Sequence, residues 1–312
     1  MTKIAFIFPG QGSQYSGMGR SFATGFPRFL QVFEEANERL GFDLLKTVLE
    51  GSNEDLMKTE VTQPAILTLS VAILEIVKEK FGSCGEFAAG LSLGEYAALV
   101  YSGVLKFSDA VFLAQKRGQI MQEAVPEGVG AMAPVIGAKY DEVADFIKQV
   151  KGSGVVEISN FNAPDQVVLS GNREAVSEAV NLIKKHCRVK AVFLPVSAPF
   201  HTSLLRNAAD KFAEVIDNIE LLSFGKKVVS NVTGELITSV SEVKELLVRQ
   251  FYSTVLWKPS VEFMMNQGVD SFVEIGPGIS LSGLVRKTAA AAGKEVKIQN
   301  VEDMETFKKL NF

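Results

Sequence analysis

An apolar run, Phe87-Ala88-Ala89-Gly90-Leu91, ends at a serine and passes directly into a helix-forming stretch from Leu93 to Tyr101. Gly90-Leu91-Ser92-Leu93-Gly94 fits the G-x-S-x-G elbow, in which a serine sits on a tight strand-to-helix turn. The flanking glycines let neighbouring backbone approach closely and tolerate the bend. The helix behind the turn aims free N–H groups at a reacting oxygen, so the Leu93 N–H is a natural oxyanion donor. No lysine follows as in a phosphate-binding loop. The chain around such an elbow must supply a buried strand and a helix packed on it.

The flanking sequence does so. Ile4 to Phe8 is a short apolar run closed by Pro9-Gly10, as in a buried parallel strand, and a glycine-dense loop follows. Thr62 is expected to cap a helix over 63–80, with Pro64 in its first turn. Ser108 is expected to cap another over 109–124. From 126 to 196 the rhythm changes to strand, helix, strand, strand, helix, strand, the ferredoxin-like order. The strands fall at 129–136, 155–159, 166–170 and 189–194, and the helices at 141–150 and 173–186. After Pro199 helices and strands alternate again, with strands at 227–231, 271–275 and 295–299 and a helix opened by Pro259. The expected fold class is α/β: an α/β-hydrolase-like large domain with a parallel sheet (1–125 and 197–312), carrying an inserted ferredoxin-like small domain (126–196).

Composition excludes several classes. Apolar residues are 47% and charged residues 22%, which is globular and neither disordered nor fibrous. A net charge of −4 argues against nucleic-acid binding over the whole surface. The two cysteines, Cys84 and Cys187, provide neither a disulfide framework nor zinc spacing, so a reducing, cytoplasmic location is expected. No run approaches the roughly eighteen apolar residues of a membrane helix, and Met1 to Phe8 is too short for a signal-peptide core.

Two histidines compete as base for Ser92. His186 ends a basic helix, Lys184-Lys185-His186, where the helix dipole and solvent suit it. His201 follows Pro199-Phe200 in a turn before a helix and is the better candidate. A serine hydrolase would add an acidic residue between Ser92 and His201 in chain order. Asp165 is the most tempting, but it falls in the small domain. A backbone or amide carbonyl would serve as a weaker partner and still fix the imidazole tautomer. Arg117 lies three or four residues from Leu113, Ala114, Ile120 and Met121, so it joins the inward stripe of its helix. A buried guanidinium needs a partner. The readings open for Arg117 are a structural ion pair, a snorkelling side chain, or a fork for a substrate carboxylate.

Six segments then occur in order: Gly10-Gln11-Gly12-Ser13-Gln14; Gly90 to Tyr96; Arg117-Gly118 with Met121-Gln122; Asn160 to Gln166; Ser197-Ala198-Pro199-Phe200-His201; and Glu274-Ile275-Gly276-Pro277-Gly278. Together they resemble the malonyl-CoA:acyl carrier protein transacylase family of bacterial type II fatty-acid synthesis, over essentially the whole chain. The resemblance implies Ser92 as the malonylated nucleophile, His201 as its base and Arg117 as the group that binds the malonyl carboxylate. It implies Gln11 and Leu93 as the backbone donors of an oxyanion hole, and Gln250 as the residue whose main-chain carbonyl orients the histidine. Phe200, just before the histidine, resembles the malonyl rather than the methylmalonyl pattern of related polyketide acyltransferases. Thr254-Val255-Leu256-Trp257 departs slightly from the family's Pro-Val-x-Trp.

The implied reaction is ping-pong transfer of malonyl from malonyl-CoA to the phosphopantetheine thiol of an acyl carrier protein, with coenzyme A as part of the substrate and no metal or redox cofactor. The carrier is expected to be acidic, which calls for a local basic face. Lys184, Lys185, Arg188 and Lys190 on the small domain and Arg286-Lys287 are the candidates. A monomer is expected, with no nucleic-acid or membrane partner. The alternatives are an acyltransferase loading a polyketide carrier, a serine hydrolase or thioesterase on the same residues, and a non-enzymatic scaffold.

Overall fold

The computed structural model describes residues 2–126, 128–152, 154–196 and 198–312; Met1 and Ser197, which figured in the sequence reading, lie outside them. Five strands form a wholly parallel sheet: β1 (Ile4–Phe8), β2 (Phe87–Gly90), β7 (Lys227–Val228), β8 (Ser271–Ile275) and β9 (Lys297–Val301), in the order β7-β2-β1-β8-β9. Every residue of β1, β2 and β8 is buried, as expected of central strands covered on both faces. The chain leaves β1 for β2 on one side and later pairs β8 on the other. Their carboxyl ends therefore open a crevice at a topological switch point.

A second, antiparallel sheet contains β3 (Gly130–Ile136), β4 (Val156–Ala163), β5 (Gln166–Asn172) and β6 (Lys190–Ala191), in the order β4-β5-β3-β6. With helices Tyr140–Ile147 and Arg173–His186 this is the ferredoxin-like arrangement. It has its own apolar cluster, including Val135, Leu169, Val176 and Ile183. Its contact with the segment before helix Trp257–Asn266 runs along β4. There Phe161 donates its backbone N–H to the Val255 carbonyl, and Val255 donates to Ser159. Thr254 Oγ1 also donates to the Ile158 carbonyl.

Several local expectations need correction. The long helix begins at Thr59, not Gln63, and runs to Phe81 with Pro64 inside it. Thr62 is no cap; its hydroxyl donates back to the Lys58 carbonyl at 3.0 Å. Ser108 lies within helix Phe107–Glu123, whose N-cap Lys106 makes no side-chain cap. Pro259 is the third residue of a helix that starts at Trp257, still in the first turn where proline is tolerated. The last strand of the small sheet contracts to Lys190–Ala191.

Helix Thr59–Phe81 also overturns the expectation that no segment is long and apolar enough to cross a membrane. Its best window has a mean hydropathy of 1.5, and 83% of that window is buried inside the fold. It is the central core helix on one face of the sheet, apolar all round because protein surrounds it.

Candidate active site

The turn after β2 sets the geometry. Ser92 has φ 52°, a left-handed conformation that a non-glycine residue adopts only under constraint. The constraint is crowding. A Cβ on Gly90 would strike the backbone of Gly94 and Glu95, and one on Gly94 would strike the Phe8 carbonyl of the neighbouring strand. Only glycine at both positions lets helix Gly94–Ser102 start this close to the sheet. Asn231 staples the turn: its Oδ1 accepts from the Ser92 N–H at 2.6 Å, and its Nδ2 donates to the Gly90 carbonyl at 2.7 Å.

His201 reaches the serine from the far side of the small-domain insertion. It too is left-handed, with φ 60°, at the start of a turn into helix Arg206–Ile216. Its Nε2 lies 2.8 Å from Ser92 Oγ and its Nδ1 lies 2.6 Å from the Gln250 carbonyl. A carbonyl only accepts, so Nδ1 carries the proton and Nε2 is left as the base facing the hydroxyl. Burial and the nearby Arg117 charge push the imidazole down to about 3, against a weaker upward pull from the Gln250 carbonyl. The ring is therefore neutral at physiological pH.

Arg117 is 1% exposed and occupies the inward stripe of its helix. Its Nη2 donates to Ser92 Oγ at 2.9 Å and to Gln250 Oε1 at 2.8 Å, and its Nη1 donates to Gln63 Oε1 at 2.9 Å. The guanidinium also lies over Tyr96 and Phe251, 5.7 and 5.6 Å from the ring centroids. Nε finds no partner, and among the described residues no carboxylate comes within 4.0 Å of the guanidinium. Among the described residues Arg117 therefore makes no direct ion pair, and at 1% exposure it does not reach solvent. A cation held only by neutral amides and a hydroxyl is poised to take an anion.

These groups line a cavity of about 560 Å³. Gln11, Ser92, Arg117, Phe200 and His201 all border it, and Lys287 stands on its wall. The Gln11 and Leu93 backbone N–H groups make no hydrogen bond among the described residues, while their neighbours Gly12, Ser92 and Gly94 all do. Two unpaired donors from loops after adjacent strands, beside a serine hydroxyl, form what an oxyanion hole needs. Asn160, Asn162 and Gln166 from the small sheet complete the opposite wall. No group of three or more His, Cys, Asp or Glu side chains suited to a metal ion occurs among the described residues.

Residues 5–308 match the model of the acyl transferase domain. The chain belongs to the acyl transferase family. It is 42% identical over 307 residues to the malonyl CoA-acyl carrier protein transacylase of Bacillus subtilis, covering 98% of this chain and 95% of that one. It superposes on an acyl carrier protein S-malonyltransferase from Vibrio cholerae with a TM-score of 0.95 at 39% identity, covering 99% and 100% of the two chains. It also matches a malonyl-transacylase solved in complex with a type II PKS acyl-carrier protein, with a TM-score of 0.94 at 42% identity, covering 99% and 98%.

In this acyl transferase the structure brings all seven sequence-nominated residues to one place. The rejected candidates lie elsewhere: Asp165 pairs with Lys287 at 3.1 Å on the surface, and His186 stacks on Phe146 at 5.5 Å. Three residues of the site were missed. Gln63 and Asn231 carry no local signal, because their partners are 54 and 139 positions away in sequence. Glu95 stands inside a quoted motif, but only the fold shows its bonds to Gln250 Nε2 at 2.6 Å and to the Asn231 N–H at 3.2 Å.

Proposed function

We propose that this chain transfers the malonyl group of malonyl-CoA to the phosphopantetheine thiol of an acyl carrier protein through a malonyl ester of Ser92. The convergence of Ser92 Oγ, His201 Nε2 and the Arg117 guanidinium within 2.9 Å carries this reading. His201 Nε2 takes the hydroxyl proton as Ser92 Oγ attacks the thioester carbonyl carbon. The carbonyl oxygen becomes an oxyanion between the Gln11 and Leu93 N–H groups. The C–S bond breaks, His201 returns the proton to sulfur, and coenzyme A leaves as a thiol. The carrier thiol then gives its proton to His201, attacks the ester, and releases Ser92 in the reverse sequence.

Gln250 holds the imidazole tautomer through its main-chain carbonyl. Arg117 selects the acyl group: a free carboxylate satisfies the guanidinium, whereas acetyl leaves it unpaired. Phe200 narrows the same wall against a branched acyl chain. This chemistry calls on no metal or redox cofactor, because nucleophile, base and oxyanion donors are all protein groups. The reading takes the chain as a monomer. The reading includes a cytoplasmic location, residues 126–196 as an inserted domain on a large domain of 1–125 and 197–312, and a carrier docking over Arg286 and Lys287, of which Lys287 borders the cavity. The 39–42% identity of this chain to three proteins named as malonyl transferases or transacylases supports the substrate.

The test is intact-protein mass after brief mixing with malonyl-CoA. The wild type is expected to gain one malonyl group and Ser92→Ala none. A wild type that stays unmodified, or a Ser92→Ala variant that gains the group, would overturn the ester mechanism.

A further inference from the structure

Arg117 poses a problem of charge. A fully buried guanidinium without a carboxylate beside it is costly unless a counter-charge lies near. Here two neutral amides hold it, and the nearest buried carboxylate stands one residue further on. Gln250 spans the gap. Its Oε1 accepts from Arg117 Nη2 at 2.8 Å, and its Nε2 donates to Glu95 Oε2 at 2.6 Å. Both ends of one amide are thus used in a carboxylate–amide–guanidinium chain. Glu95 is 1% exposed, and the same oxygen accepts from the Asn231 N–H. No cation touches Glu95 directly among the described residues.

We infer that Glu95 is the relayed counter-ion of Arg117: it balances the guanidinium in the free enzyme through Gln250, and yields that role to the substrate carboxylate. It is a positioning residue, since it touches neither Ser92 Oγ nor the cavity. Placing the counter-charge one amide away has a consequence. A carboxylate bonded directly to Arg117 would compete with the malonyl carboxylate for the same N–H groups. A relayed one stabilises the cation yet leaves Nε unpartnered. Burial lifts the Glu95 carboxyl to about 7, with the Asn231 N–H, Gln250 and Arg117 pulling the other way. Its charge is thus sensitive to what happens at Arg117.

The inference rests on the proposed malonylation of this site, and the experiment separates the two. Thermal unfolding is measured for the free and malonylated forms of wild type and Glu95→Gln, about one pH unit above 7 so that Glu95 is ionised. Without the counter-charge, free Glu95→Gln is expected to melt lower. Malonylation should then raise its Tm more than it raises that of the wild type, by about 2–4 °C or more. In the wild type the incoming carboxylate meets an arginine already balanced, and in the variant it meets a bare one. An equal or smaller rise in the variant would overturn the relay. A role in packing alone would lower both forms equally.

A second comparison needs neither loading nor a folded Glu95→Gln. The double variant Glu95→Gln/Arg117→Met removes both charges and is expected to melt higher than Arg117→Met, which strands a buried carboxylate. A double variant no more stable than Arg117→Met would sink the pairing. If wild type takes no malonyl group, the functional reading fails and this comparison alone judges the relay.

Discussion

Two strand-to-helix turns lie at the carboxyl edge of the parallel sheet, one after β2 and one after β8, on either side of β1. Both are glycine-rich, and both lead straight into a helix. They differ in what becomes of the helix's free N–H groups. After β8, the buried carboxylate of Glu274 accepts from the Leu281 and Ser282 N–H groups at 3.0 and 2.8 Å, so the turn is sealed by its own strand. After β2, the Leu93 N–H makes no bond among the described residues, and the buried carboxylate nearby, Glu95, faces Gln250 and Asn231 instead. The same local topology leaves a helix-start donor free in one place and occupies such donors in the other. A helix N-terminus is reactive only where the protein keeps its own acceptors away from it.

The open turn is most vulnerable at Gly94. Gly94→Ala puts a methyl group into the Phe8 carbonyl and forces the helix off the sheet. Loading of Ser92 is expected to fall below detection, read by intact mass. Next in size is Arg117→Met. It is expected to erase the preference for malonyl-CoA over acetyl-CoA, a loss of about 2–5 kcal/mol, or roughly 30- to several-thousand-fold in the ratio of kcat/KM values. A preference that survives would mean that other groups read the carboxylate. Glu274→Gln weakens the sealed turn without touching the open one. It is expected to cost about 1–2 kcal/mol in a denaturant melt, with loading changed less than about threefold. Loss of loading at equal stability would show that the two turns are not independent.

The smallest effect expected is an absence of titration. Because the folded His201 value of about 3 lies below the unfolded value of about 6.5, the unfolded chain binds more protons between them. This histidine therefore makes stability rise with pH across that window and withdraws it as pH falls. Imidazole proton resonances should show the His201 ring still neutral at about pH 5, assigned by its disappearance in His201→Gln. A midpoint near 6.5 would place His201 in water rather than beside Arg117.

Much of this was legible in the chain because the signals are local. The elbow needs glycines at fixed spacing around Ser92, and the inward place of Arg117 follows from helix periodicity. The caps were less legible. Thr62 and Ser108 have the right chemistry, but tertiary packing carries both helices past them. Gln63, Asn231 and Glu95 were silent as site residues because amides and carboxylates are common and their partners are distant in sequence. Gln250 was named for its main chain, and only the fold shows that its side chain ties Glu95 to Arg117. The hydrogen bonds that define this site are mostly between residues more than a hundred positions apart, where no spacing rule reaches.

If the open turn and its neighbours make a transferase, the acyl ester must leave to a thiol and not to water. The most direct measurement isolates the malonylated protein and follows its mass in buffer alone and with a phosphopantetheinylated carrier protein. The ester is expected to persist in buffer and to be discharged promptly by the carrier, which gains the malonyl group. Loss of the ester to water at the same rate with and without carrier would contradict it and identify a hydrolase.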